Sequence, residues 1–272
     1  PDSLPPCRLL HIVQGGDYGY KYRNGRKGIH PYTAWNGELP GTLPMVAGTG
    51  EAPSGILACG RGDTLTADFA GDLLVTSWGD HRIERYVLSQ RGASVSAERI
   101  DVVRGGEDFR PVGISVGNDG AVYITDWVDK SYQLHKKGLI WRLSLRPEHA
   151  AIHTAVEDKK ASLSTLEQQA ERLRTDQASL ETTQLWEQTC SNDPFLAQAA
   201  REGLSKLVHS AGEVAEFASH ARDARQRIAA VLILRSHMAE EGEKWLPNFL
   251  RDADPDVRFA ALQWVGEERL KQ

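Results

Sequence analysis

Two internal repeats of different kinds constrain this chain more than any other feature, because neighbouring copies of a repeat must stack to bury what one copy cannot bury alone. In the first half, "LLVTSW" at 73–78 answers "VYITDW" at 122–127, an offset of 49 residues. Before each lies a short segment opened by proline and glycine, "APSGIL" (52–57) and "RPVGIS" (110–115). After each lies another, "RIERYVL" (82–88) and "LIWRLSL" (139–145), in which Ile83 answers Ile140 and Arg85 answers Arg142. Glycine, aromatic and β-branched residues dominate, and "GNDG" at 117–120 marks a turn, the pattern of short antiparallel strands. Each copy holds at least three strands with room for a fourth, the make-up of a β-propeller blade.

Past "RPEHA" the glycines thin out, and alanine, glutamate, glutamine, leucine and arginine take helical spacing, as in "STLEQQAERLR" at 164–174. Three segments, 193–204, 223–234 and 254–265, superpose on their alanine pairs Ala199-Ala200, Ala229-Ala230 and Ala260-Ala261, 30 and 31 residues apart. Small alanines let helices approach closely, with Leu196, Leu204, Ile228, Leu232, Val257 and Leu262 as the expected buried stripe. Asp193 and Asp254 suit the N-cap, each followed by proline at the first helical position. The spacing predicts a short helical solenoid of HEAT type.

The sequence thus predicts a multidomain β + α chain. Residues 1–148 form a partial β-propeller segment, 149–188 a helical linker with the first solenoid helices, and 189–272 the HEAT repeats. The 272 residues carry a formal net charge of −5 and are 25% charged. No lysine and arginine stripe stands out to neutralise phosphates, which argues against a nucleic-acid partner. The longest strongly apolar run, Ile228 to Leu234, falls far short of the ~20 residues of a membrane span. Cys7, Cys59 and Cys190 are odd in number and widely spaced, which suits neither a disulfide framework nor a zinc site. A Cys7–Cys59 bridge stays geometrically open. No spaced histidine pair, nucleotide-binding glycine pattern or nucleophile motif occurs, so no metal site and no catalytic residue is assigned.

Strand polarity says which loops share an end. If the proline-glycine strand runs down beside the axis and the next runs back, then residues 52–54, 78–81, 110 and 127–135 gather on one face, and the turns at 70–72 and 117–120 on the other. The substrate or pocket candidates there are Ser54, Trp78, Asp80, His81, Asp126, Trp127 and His135. Arg110 is the cofactor candidate, since a guanidinium at an inner rim can hold a carboxylate in bidentate fashion or pair with a neighbouring aspartate. Asp126 and Asp129 suit a cation, a sugar hydroxyl or the capping of a turn. Trp78 and Trp127 suit stacking on a sugar or packing between blades. His81 and His135 suit a general base or a structural role. Tyr18 and Tyr20 line a pocket or end a strand. Arg201, Lys206, Arg222, Arg225 and Arg258 read as a solvated helix face rather than a partner surface.

With these residues in place, the first half resembles the soluble quinoprotein glucose/sorbosone (aldose) dehydrogenases, which form six-bladed propellers. "GGDYGY" resembles the end of a middle blade, "APSG" the opening of the fifth and "FRPVGISVGNDGAVYITD" the opening of the sixth, together covering about 1–146. "DWVDKSYQLHKKGLIWRLSL" followed by helical repeats resembles the exported planctomycete proteins named membrane-bound dehydrogenases, in which a cytochrome c domain with a CxxCH haem motif follows. The resemblance implies a fragment of an exported, periplasmic or cell-envelope protein that oxidises a sugar or related alcohol. Pyrroloquinoline quinone and calcium are its implied cofactors, with electrons passing to a haem c domain not contained in these residues. Arg110 falls on one of the family's quinone-anchoring arginines; Asp108 stands at the companion arginine and Gly79 near the anchoring lysine. The family's catalytic histidine and calcium ligands fall in earlier blades, so the fragment alone is expected to be inactive. The alternative is a non-catalytic propeller and solenoid that binds carbohydrate or a protein partner.

Overall fold

The computed structural model describes residues 7–19, 36–60, 69–144, 163–176 and 180–268. Two compact units emerge, one built from 1–11, 45–91 and 95–162, the other from 12–44, 92–94 and 163–272.

The first unit is made of antiparallel strands. A small pair, β1 (Arg8–Leu9) and β2 (Ala47–Gly48), is followed by a four-stranded meander of β3 (Pro53–Ala58), β4 (Leu73–Ser77), β5 (Arg82–Arg91) and β6 (Ser94–Arg104). A three-stranded meander follows, of β7 (Pro111–Val116), β8 (Val122–Asp126) and β9 (Leu139–Leu143). The fourth strand for which the sequence left room is therefore present in the first meander as β6. Among the described residues the strands close into no barrel or propeller.

The two meanders repeat in chemistry as well as in sequence. Each leading strand carries a register shift near its start, between Pro53 and Gly55 and between Pro111 and Ile114. Such a bulge swings one amide out of the ladder, and a threonine of the next strand receives it: Gly55 N–H donates to Thr76 Oγ1 and Gly113 N–H to Thr125 Oγ1, both at 2.8 Å. Arg85 pairs with Asp72 (2.6 Å) in the first meander and Arg142 with Asp119 (2.9 Å) in the second. Between the meanders lies a shared core of Leu74, Ile83, Val122, Ile124 and Cys59, flanked by Leu57, Ile114, Val116 and Phe109. Burial of each large aliphatic side chain contributes roughly 1.5–3 kcal/mol.

The second unit is helical: α1 (Thr165–Thr175), α2 (Thr182–Gln188), α3 (Pro194–Leu207), α4 (Ala211–His220) and α5 (Ala224–His237), then the short α6 (Ala239–Gly242) and α7 (Leu246–Phe249) joined by a 3-10 turn, and α8 (Pro255–Glu268). Helices α1 and α2 pack on α3, α4 on α5, and α5 on α8. The alanine pairs sit in these contacts at 0–2% exposure, from Ala199 to Ala261. Asp193, Asp223 and Asp254 each accept from the first-turn amides of α3, α5 and α8, the N-cap role that relieves otherwise orphaned donors. Ser164 caps α1 in a reciprocal box with Glu167.

Two expectations need correction. Leu262, expected in the buried stripe, is 59% exposed, whereas Leu196, Leu204 and Val257 are buried. The described residues within 12–44 also group with the helices rather than with the strands: Leu43 joins the helical core and the Gln14 carbonyl accepts from Gln198. Such long-range attachments leave no mark on local periodicity. The arginines divide too. Arg222 and Arg225 are exposed, but Arg258 holds the carbonyls of Asp252 and Ala253, as Arg227 holds those of Ala221 and Arg222. Arg201 reaches the Gly41 carbonyl at 3.4 Å, and burial pushes its guanidinium down to about 10.

Candidate functional site

In the first unit the loops before the leading strands and after the second strands do meet. The Trp78 amide donates to the Ala52 carbonyl (3.2 Å) and the Trp127 amide to the Arg110 carbonyl (2.9 Å). At the start of β7, Asp126 is the tether. Its Oδ1 accepts the amides of Arg110 and Val128, each at 2.8 Å, and its Oδ2 accepts Trp141 Nε1 at 2.7 Å. A carboxylate 4% exposed with three donors is occupied in holding the loop. Asp126 thus acts on the local backbone rather than offering a free oxygen.

Arg110 is 4% exposed. Its guanidinium carbon lies 4.6 Å from the centre of the Trp78 ring, Nη1 donates to the Trp78 carbonyl at 3.4 Å, and Nη2 stands 3.7 Å from Glu107. Nε is enclosed without a partner. The Trp78 ring is stacked at 5.9 Å and 14° on Tyr132, which is 87% exposed. Arg110, Trp78 and Tyr132 therefore make a stack whose polarised inner member is a buried cation and whose outer member opens to solvent.

The remaining candidates cluster around this stack. His81 Nδ1 donates to the Phe109 carbonyl (2.9 Å), which leaves Nε2 facing Glu107 at 3.9 Å. Trp127 sends Nε1 to the Ser131 carbonyl and meets His135 edge-on at 4.9 Å. His135 Nδ1 accepts the Lys137 amide, and its Nε2 is buried without a partner. Two candidates turn away. Asp80 accepts from the Glu51 amide, Ser77 and Arg82, and Ser54 caps the Ala52 carbonyl. At Asp129, hydrogen bonds from Lys137 first, then from Ser131, hold the carboxyl well below the usual range.

Backbone strain gathers at the same end. Among the described residues, the non-glycine ones with positive φ are Ala52, His81, Val128 and Lys136, at 51°, 57°, 66° and 58°. A left-handed β-branched residue such as Val128 is the least tolerated of these. Its N–H donates to Asp126 Oδ1, which anchors the residue in that conformation.

Sequence reasoning missed Tyr132 and Glu107. Tyr132 sits in the polar run "DKSYQL", where nothing in the pattern distinguishes a stacked ring from a surface tyrosine. Tyr18, by contrast, lies in the helical unit and accepts the Val13 amide through its hydroxyl (2.9 Å); Tyr20 lies outside the described residues. Cys7, Cys59 and Cys190 form no disulfide, so the open Cys7–Cys59 bridge is not made.

The quinone implied by the resemblance carries several carboxylates and needs convergent cations. Of its three expected anchor positions only Arg110 is cationic, and Glu107 and Asp108 place carboxylates beside it. These residues by themselves do not fit that cofactor. Among the described residues no three His, Cys, Asp or Glu side chains converge as a metal site.

No protein-family model matches the chain, and no curated protein matches it significantly. One solved structure found is a Thermus thermophilus protein described as a "putative oxidoreductase (glucose dehydrogenase)", at 20% identity and a TM-score of 0.36. The match covers 49% of this chain and 35% of that one, so the chain spans about a third of that protein's length. A likeness this slight fixes neither fold nor activity.

Proposed function

We propose that the strand unit recognises a saccharide within an exported sugar-handling protein, and that it represents two propeller blades followed by a HEAT-type solenoid. The observation that carries the recognition is the Arg110–Trp78–Tyr132 stack, with the Tyr132 ring 87% exposed and backed by Trp78 at 5.9 Å. Sugar rings bind aromatic faces through their C–H edges while hydroxyls seek charged partners at the rim. Asp129, Lys137 and the Nε2 of His81 are such partners in the same loops. The blade reading draws support from the paired Gly–Thr and Arg–Asp devices, and the solenoid reading from the buried alanine pairs on successive helices.

A second reading, oxidation of the sugar by a quinoprotein-type parent, rests on the blade-opening motifs. Calorimetric titration with a panel of mono- and oligosaccharides, and separately with pyrroloquinoline quinone, tests both. Saccharide binding that Tyr132→Ala weakens about tenfold, near 1.4 kcal/mol, supports recognition. Quinone binding abolished by Arg110→Ala supports the oxidoreductase reading. Failure of either ligand to release heat, with the fold intact by circular dichroism, defeats both.

A further inference from the structure

The first meander shows what its outer face is for. Thr76 Oγ1, having accepted the Gly55 amide, donates its hydrogen to the carbonyl of Val112 on β7 at 2.7 Å. The bulge at the start of β7 turns that carbonyl out of its own ladder. Gly55 makes the approach possible, because a Cβ there would collide with the Val112 oxygen and touch Ile114. Gly55 and Thr76 with Ile83 beside them are thus a socket for the leading strand of the next sheet, and β7 presents Ile114 to it.

The second meander carries the same socket empty. Gly113 gives its amide to Thr125, yet a Cβ on Gly113 would meet only the Thr125 side chain. Among the described residues no acceptor takes the Thr125 hydroxyl hydrogen, and Ile140, the counterpart of Ile83, is 71% exposed. The matching plug is also present, and its tip is uncovered. β3 has the bulge of β7, and Ile56, the counterpart of Ile114, is 56% exposed. Ser115 and Tyr123 replace Leu57 and Leu74 on the second socket, which makes it more polar, as suits a surface that is wet when unpaired.

We propose that a second copy of this chain docks here, its β3 entering the Gly113–Thr125–Ile140 face as β7 enters the Gly55–Thr76–Ile83 face. The contact is heterologous: each copy offers one plug and one socket, so association runs head to tail and continues until a ring closes. The inference stands on the sheet repeat and is independent of the saccharide reading.

Sedimentation velocity of the full chain from roughly ten micromolar to one millimolar tests it, such weak contacts being typical of small polar interfaces. Wild type is expected to form dimers and larger species with rising concentration. Ile56→Glu, which spoils the plug, and Ile140→Glu, which spoils the socket, are each expected to stay monomeric. An equimolar mixture of the two is expected to form dimers and stop there, because one variant keeps the socket and the other the plug. A symmetric interface would not show this rescue. Hydrogen exchange of wild type gives a check free of substitutions, with β3 and β7 slowing as concentration rises. A wild-type monomer at one millimolar, assembly by either single variant, or a mixture that remains monomeric overturns the proposal. So does slowing confined to other segments, which would point to a different occupant of the face.

Discussion

Replacing Gly55 and Gly113 separately by alanine puts the same substitution into equivalent positions with different surroundings. Neither glycine has a positive φ, so backbone strain drops out and space alone decides. At Gly55 the new methyl collides with the Val112 carbonyl and crowds Thr76 Oγ1 at 3.1 Å. Overpacking of this kind costs about 1–3 kcal/mol, and loss of the Thr76–Val112 hydrogen bond adds about 1 kcal/mol. The sum is about 2–4 kcal/mol. At Gly113 the methyl meets only the Thr125 side chain, its Oγ1 at 2.9 Å, a hydroxyl that can turn toward solvent at the loss of the Gly113 amide hydrogen bond, about 1 kcal/mol. That cost is offset by roughly 0.4–1 kcal/mol from the stiffer unfolded chain, leaving a net effect within about 1 kcal/mol. In urea, followed by tryptophan fluorescence at low protein concentration, Gly55→Ala is expected to lower the midpoint by about 1–2 M and Gly113→Ala by less than about 0.5 M. Equal shifts for the two variants would refute the claim that one socket is filled and the other empty.

Further outcomes follow from the same geometry. Asp126→Ala orphans the amides of Arg110 and Val128 and the Trp141 indole, and is expected to cost about 2–4 kcal/mol in thermal unfolding, well above a surface aspartate. Leu204→Ala, at 0% exposure, is expected to cost about 2–5 kcal/mol, whereas Leu262→Glu, at 59%, stays within about 0.5 kcal/mol. Burial alone raises the Asp252 carboxyl, but hydrogen bonds from Arg227 and the Asp254 amide outweigh it, and the net direction is down. A lowered acid stabilises the fold above its unfolded value of about 4 and loses that contribution as pH falls through the folded value. The stability of the helical unit should therefore fall as pH drops below about 4, and Asp252→Asn should flatten that limb; an unchanged limb counts against the Arg227–Asp252 pair as a stabilising contact.

Much of the local structure was legible in the residues. "APSG" and "RPVG" announce leading strands because proline suits a strand's first residue and glycine a close backbone approach, and the alanine pairs announce helix contacts because little else packs so near. The meeting of the 52–54, 78–81, 110 and 127–135 loops followed from strand polarity alone. What stayed hidden was decided by partners distant in sequence. Nothing in "RPVG" shows that Arg110 faces the Trp78 ring instead of a ligand, nor does "TDW" show that Asp126 is saturated by three donors. The exposure of Leu262 depends on which face α8 turns to α5, which no periodicity within α8 encodes. Tyr132 gains its role only through its stacking on Trp78, a residue 54 positions earlier.

Saturation-transfer difference NMR on an oligosaccharide mixed with the chain tests the central claim most directly. Transfer to the sugar C–H protons that Tyr132→Ala erases and Tyr132→Phe retains is the predicted result. Undiminished transfer in Tyr132→Ala, with the Trp78 environment otherwise intact, would place the sugar elsewhere and contradict the account.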